Sequence, residues 1–394
     1  LHALKSTSWY GLRYDERPGG ESARHVRNVF ATHGTSARQR TLQREPVTAR
    51  LRLAGIYGDE GQSGVPIPIP MIGSAGSKSI RPTLTELDRA ATDPDVKGVL
   101  LEIGPLGAGA LTSEVRDAIG RVRARGKPVV AYLEDCEGVG PYHVASACDR
   151  IVLDPLGTVS RLGMRADILY YGELLDSAGV TFEKLAHGKY KTAGEQLVRR
   201  DASEGQKEAL NAVLDDWRAV YLADFAAGRE LPREKVEELA DGRVLMAEQA
   251  QAEGLVDTLG DKEDARKLLN RLARQKEKRR PVSLNGWTYR EYAWTDGPKV
   301  AVLWLDGSIV TGKSGGGFFS ENTMGSETVV AQLRKLKKRG DVKAVVLRVD
   351  SGGGSAQASD QIWRAVEEVQ KEGKKVVASM SRVAGSGGYY IACG

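Results

Sequence analysis

Histidine, cysteine and the large aromatics are the scarce residues of this chain, and each shortage excludes something. Five histidines, three cysteines, five phenylalanines and six tryptophans are spread over 394 residues. Three cysteines (Cys136, Cys148, Cys393) cannot build a disulfide framework. No metal-type spacing occurs, so the thiols read as structural and no metal or other cofactor is expected. An apolar run of about 18 residues is also absent, so nothing here reads as a membrane-spanning helix. The chain starts at Leu1 instead of Met, and an anchor or signal cut away upstream is compatible with that. Charge of one sign is lacking as well: 57 basic and 52 acidic residues leave only +5, an ordinary solvated surface and not a nucleic-acid footprint. The most basic run, Arg271 to Arg280, includes Gln275 and Glu277 and reads as a helix end plus linker, with contact to anionic lipid as the alternative.

What is abundant is glycine, 46 residues, within a chain that is 41% hydrophobic, enough for a sizeable core and two domains. Residues 1–46 are polar and Arg-rich and read as an extended arm. Ala49 to Ile56 alternates as a half-buried strand does, and residues 61–78, rich in Gly, Pro and Ser, form a loop. A helix follows over Thr83 to Ala91, then a strand from Lys97 to Ile103, a helix from Ser113 to Arg125 and a strand from Pro128 to Tyr132. Such alternation means a mainly parallel sheet with helices packed on it. A long helix is expected from Ser203 to about Ala227.

The same text returns about 246 residues later. Asp95-Val96-Lys97-Gly98-Val99-Leu100-Leu101 matches Asp341-Val342-Lys343-Ala344-Val345-Val346-Leu347, and Gly126 to Ala131 matches Gly373 to Ala378 after a one-residue shift. The organisation expected is an arm (1–46), a first repeat (47–272), a linker (273–297) and a second repeat (298–394) whose counterpart to residues 181–260 would lie beyond Gly394.

Chemistry is expected at the end of the strand Lys375 to Met380, where Val383-Ala384-Gly385-Ser386-Gly387-Gly388-Tyr389-Tyr390 puts a hydroxyl between glycines. Glycines permit a tight turn and close approach of a carbonyl. The matched first-repeat segment, Gly138-Val139-Gly140, has valine opposite Ser386, so the repeats cannot share one chemistry. Asp350-Ser351-Gly352-Gly353-Gly354-Ser355 closes the neighbouring strand and can supply amide donors, as can Gly387; the first repeat has the poorer run Gly104 to Gly109 there. Serine needs a base. His143 reads as a core histidine, His187 is a weak candidate, and Lys191 qualifies if burial favours its neutral form.

These motifs together resemble the signal peptide peptidase A family in its long, two-repeat form. Asp350 to Ser355 is similar to the family's strand end, with Gly352 in place of a proline; Gly385 to Tyr389 resembles its nucleophile turn; Tyr190-Lys191-Thr192-Ala193 resembles its lysine motif; Gly242 to Val244 and Gly254 to Asp257 resemble further signatures. Gln196 departs from the Glu-Pro that usually follows in the family. The resemblance implies an α/β fold built as a tandem repeat of two spiral ββα domains of the Clp-protease and crotonase type, the second incomplete. It implies a serine endopeptidase with Ser386 as nucleophile, Lys191 as base, and an oxyanion hole from Gly353, Gly354 and Gly387. The implied substrates are hydrophobic peptides such as cleaved signal peptides, met at a membrane surface of the bacterial cell envelope by a homo-oligomeric, tetramer-like ring whose catalytic part is periplasmic. Alternatives are a crotonase-like acyl-CoA enzyme and an inactive scaffold.

Overall fold

A computed structural model describes residues 8–15, 25–33, 45–61, 76–284, 298–317 and 320–394. The chain divides into two units, Leu1–Val47 and Thr48–Gly394. In the first, Ser8–Asp15 and His25–His33 pair as antiparallel strands, with a register break between Arg13 and Tyr14. The sequence reading gives an arm there; the β-formers Trp9, Tyr10, Tyr14, Val26, Val29 and Phe30 are the signal it passes over.

In the second unit a five-stranded sheet runs in the order Thr258–Leu259, Arg150–Leu153, Val129–Leu133, Val96–Leu106, Val47–Gly55. The first three pairings are parallel. Val99, Leu100 and Leu101 are all buried although they point alternately to opposite faces. A parallel strand covered on both sides reads as such a continuous apolar run. On one face Ala265 and Leu269 of the helix Lys262–Leu272 pack onto Leu100, Val130, Tyr132 and Val152.

A second sheet joins Lys299–Asp306, Val342–Ser351 and Lys375–Ala384, all parallel. Leu303, Leu305, Val345, Leu347 and Val349 face helices Ser326–Lys337 and Ala356–Lys371, which bury Val329, Leu333, Ile362 and Val366 against them. The other face keeps Val300, Val302 and Val377 exposed. Each sheet is assembled by the same succession. A strand leads to a helix (Arg81–Thr92; Ser326–Lys337), a strand, a helix (Ala110–Ala124; Ala356–Lys371), a strand and a short helix (Val139–Ala145; Gly387–Ala392). The strand, helix and loop boundaries read from Thr83 to Tyr132 hold within a few residues, while the loop expected over 61–78 falls mostly outside the described residues.

A buried ion cluster ties the sheets together. Arg348, on the central strand of the second sheet, donates to both carboxylate oxygens of Asp59 at 2.9 and 3.0 Å, to Glu114 at 2.5 Å, and to the hydroxyls of Ser379 and Ser381. Burial disfavours its charge, but the Asp59 and Glu114 carboxylates outweigh burial and raise its pKa. Removing one member of such a cluster leaves an uncompensated buried charge, at about 3–5 kcal/mol.

Candidate active site

The strand Lys375–Ala384 runs straight into Gly385, Ser386 and the helix Gly387–Ala392. Ser386 sits at φ 48°, ψ −116°, ahead of the helix. For a residue with a Cβ this is a sparsely populated conformation costing about 1–3 kcal/mol, and it survives only where the surroundings enforce it. They do so through backbone contacts: Gly385 N–H donates to Ser351 O (2.9 Å), Gly388 N–H to Gly385 O (2.8 Å) and Tyr390 N–H to Ser386 O (3.0 Å). No side chain fits at the two following positions. A Cβ on Gly387 would lie 2.4 Å from Ser359 Oγ, and one on Gly388 2.5 Å from Ser351 O.

The facing wall is the loop Ser351 to Ser355. Gly353 (φ 106°) passes so close that a Cβ there would be 2.7 Å from Ser386 Cβ and 2.8 Å from Gly387 N. Its own N–H donates to Ser351 Oγ (3.1 Å), whose hydroxyl donates to Gly307 O (2.6 Å). A Cβ on Gly354 would be 2.1 Å from Ile309 O. Ile309 N–H donates to Gly353 O and Ser355 N–H to Ile309 O, both at 2.9 Å, which locks the loop to the strand Ser308–Val310. The amides of Gly354 and Gly387 have no acceptor among the described residues, and the Cβ position of Gly387 is 3.4 Å from Gly354 N. Two unengaged donors therefore stand together beside the serine. Gly353, expected to share their role, instead makes room for the turn.

The lysine makes no bond to this turn. Lys191 is exposed in an irregular stretch, its N–H donating to Gly188 O (3.2 Å), and no hydrogen bond or ion pair among the described residues joins its amine to Ser386. Burial, the condition set for a neutral lysine, is not met within one chain. The stretch is anchored at its far end, where buried Glu195 accepts from Lys184 (2.9 Å) and Ser203 (2.8 Å), bonds that hold its carboxyl below the usual range. Around it Leu169, Leu174, Phe182 and Leu185 are exposed. His187 is exposed too.

His143 is fully buried, as expected of a core histidine. Its Nε2 lies 2.6 Å from Asp224 Oδ2 and its Nδ1 2.8 Å from Thr112 Oγ1, while the Tyr221 ring packs edge-on at 4.7 Å. Burial lowers its pKa to about 4 against the pull of Asp224. Burial raises the Cys148 thiol to about 12 and raises Cys136 further, so both thiols are inert. The described residues hold no metal-ligand cluster and no helix long and apolar enough to cross a membrane.

Sequence reasoning missed Arg382 and its pairing with Asp350. Arg382 Nε donates to Asp350 Oδ2 (2.7 Å) and Nη1 to Tyr57 O (3.3 Å), bracing the strand Lys375–Ala384 against the neighbouring loop and the short strand Tyr57–Gly58. The available signal was a cation inside a strand, which demands a partner when partly buried.

Comparison with known proteins gives the same direction. Residues 121–276 match the model of "Peptidase family S49". The chain is 32% identical over 319 residues to "Serine protease SPPA, chloroplastic" of Arabidopsis thaliana, covering 77% of this chain and 46% of that one. It is 31% identical over 321 residues to "Protease 4" of Haemophilus influenzae (77% and 51%) and 31% identical over 317 residues to "Protease 4" of Salmonella typhi (77% and 50%). The chain thus spans about half the length of the curated relatives it matches. An enoyl-CoA hydratase from Polaromonas sp. JS666 superposes with a TM-score of 0.32 at 17% identity, over 60% of this chain and 77% of that one, too slight a likeness to bear on the fold.

Proposed function

We propose that this chain, whose residues 121–276 match peptidase family S49, is a serine endopeptidase in which Ser386 is the nucleophile and Lys191 the general base. The observation that carries the reading is the strained Ser386 beside two amides, Gly354 and Gly387, that donate to nothing. Ser386 Oγ attacks the peptide carbonyl as its proton passes to the Lys191 amine. The oxyanion accepts from Gly354 and Gly387 N–H, Gly353 leaving the space. The lysine then protonates the leaving amine, and water hydrolyses the acyl-enzyme by the same sequence. An acyl-CoA enzyme would share the amide pair but would have no use for a hydroxyl in a strained turn.

Lys191 is exposed and makes no bond to Ser386 within one chain, and the lysine stretch exposes apolar side chains. Both facts favour assembly of the dyad in a homo-oligomer, a tetramer-like ring in which a neighbouring copy buries that stretch. The repeated element succession supports two tandem domains of the Clp-protease and crotonase type, 47–272 with the lysine and 298–394 with the serine, joined by the linker 273–297 and preceded by the segment 1–46. Substrates would be hydrophobic peptides such as released signal peptides, met at the inner membrane of a bacterial envelope with the catalytic part in the periplasm.

Labelling by a fluorophosphonate probe tests the reading. The protein should take up one probe per chain, lost in Ser386→Ala. Absence of labelling in the assembled protein, or labelling that survives Ser386→Ala, would overturn it in favour of an inactive scaffold or another nucleophile.

A further inference from the structure

We infer that the first half binds the peptide at the place corresponding to the active site of the second half. An apolar substrate side chain enters a cavity beside Leu106–Gly109 while donors at its mouth hold the peptide carbonyls. The inference rests on the protease reading.

The cavity measures about 220 Å³, lined by Leu53, Ile80, Leu106, Leu111 and Val115, with Arg382 reaching in from the nucleophile strand. One water takes about 30 Å³ of liquid volume, so the space suits one leucine- or phenylalanine-sized side chain. Thr112 Oγ1 is committed to Gly109 O (2.7 Å) and His143 Nδ1 (2.8 Å), and Tyr57 OH accepts from Ala54 N–H (3.3 Å). Unengaged among the described residues are Arg382 Nη2 and the backbone N–H and C=O groups of Gly107 and Ala108. Above Gly107 and Gly109 a Cβ would meet nothing within 4 Å, so the backbone is open to an approaching chain. Apolar walls with a stretch of unpaired backbone N–H and C=O groups at one edge suit a peptide, whose side chain fills the cavity while its own alternating carbonyl and N–H groups pair with that edge.

Gly107 and Ala108 stand where Gly353 and Gly354 stand in the second half, counting back from the helices that begin at Ala110 and Ala356. Neither Gly138 nor Val139 offers a hydroxyl, so the site binds without cutting. Arg382 lies four residues before Ser386 and bonds Asp350 at the entry to the glycine loop. An occupant of the cavity therefore contacts the strand that presents the nucleophile, and the site extends substrate recognition beyond the residues at the scissile bond.

Two substitutions outside the catalytic machinery test this. Ala108→Trp fills the cavity from an exposed position, and Ile56→Glu, also exposed, sets a carboxylate at the Arg382 mouth. With a long hydrophobic peptide both should raise KM about tenfold with kcat within twofold of the parent, and a short peptide amide should be cleaved as before. In the Ser386→Ala background, fluorescence anisotropy of the labelled long peptide should show the same tenfold loss of affinity. Unchanged KM and unchanged anisotropy in both variants would overturn the cavity inference and leave the protease reading intact. If the parent cleaves no peptide, the protease reading fails, while the anisotropy comparison still decides whether the cavity binds one.

Discussion

Two strand–loop–helix units of one chain, Val96 to Ala145 and Val342 to Ala392, reach the same turn with different residues at it. In the second, the residue before the short helix is Ser386 at φ 48°; in the first it is Gly138 at φ 93°. Sequence matching sets Val139 opposite Ser386, but the helix starts put Gly138 there, one residue earlier. The left-handed turn is thus kept in both units, and only the residue bearing it differs. Glycine takes such a φ without steric cost, whereas serine does not. The strained hydroxyl is present in the second unit and absent from the first. The flanks diverge accordingly. Tyr390 in the second unit is half-exposed, its hydroxyl 3.3 Å from Asp360, while His143 in the first is sealed among Asp224, Thr112, Arg116 and Tyr221.

The comparison breaks most sharply at the nucleophile. Ser386→Ala and Lys191→Ala should each lower kcat/KM by about 10⁴-fold or more with the fold retained, and the double variant should be no worse than either single one, because nucleophile and base act as a unit. Hydrolysis of a hydrophobic peptide by the assembled protein measures this. A Lys191→Ala protein near the parent rate, or additive losses, would sink the pairing.

Much of this was legible from residues. The tandem text, the parallel strands and the Gly-Ser-Gly-Gly turn follow from local pattern, because a buried parallel strand and a glycine turn each need particular residue types at fixed spacing. The strain at Ser386 is not local: Gly353 and Ser351, more than thirty residues upstream, enforce it. The Arg348–Asp59 and Arg382–Asp350 pairs join residues whose proximity only the packed sheets create. That no bond joins Lys191 to Ser386 within one chain was equally unreadable, since the spacing of neither motif carries the position of the other.

A smaller effect sharpens the first unit. His143, with its pKa lowered to about 4 by burial, stays neutral in the fold while the unfolded chain takes a proton near the ordinary histidine value of 6.5. Between those values the unfolded state binds more protons, so stability falls as pH drops from about 6.5 toward 4 and is fully restored above it. Arg116 opposes the proton and Asp224 favours it; burial is the larger influence. The loss should reach at most roughly 3 kcal/mol. Urea midpoints at pH 7 and pH 5 measure it, and His143→Gln should flatten the difference. An unchanged pH slope in that variant would assign the acid sensitivity elsewhere.

The smallest expected effect is none at all. Gly138→Ser and Val139→Ser each give the first unit a hydroxyl near its turn, and neither should add peptidase activity to a Ser386→Ala protein. Three features withhold it. Val139 is buried within the first turn of its helix, so a serine there would not occupy the strained position ahead of the helix. A serine at 138 would meet the left-handed backbone without the packing that holds Ser386, since a Cβ at Gly138 finds nothing within 4 Å. The histidine of that helix, His143, is fully buried with both ring nitrogens already within hydrogen-bond distance of Asp224 and Thr112, so it is not presented to a new hydroxyl. Fluorophosphonate labelling and peptide hydrolysis in the two double variants read this directly. Labelling of either new serine would show that the first unit kept a working oxyanion site, and that the glycine at 138 alone separates it from an enzyme.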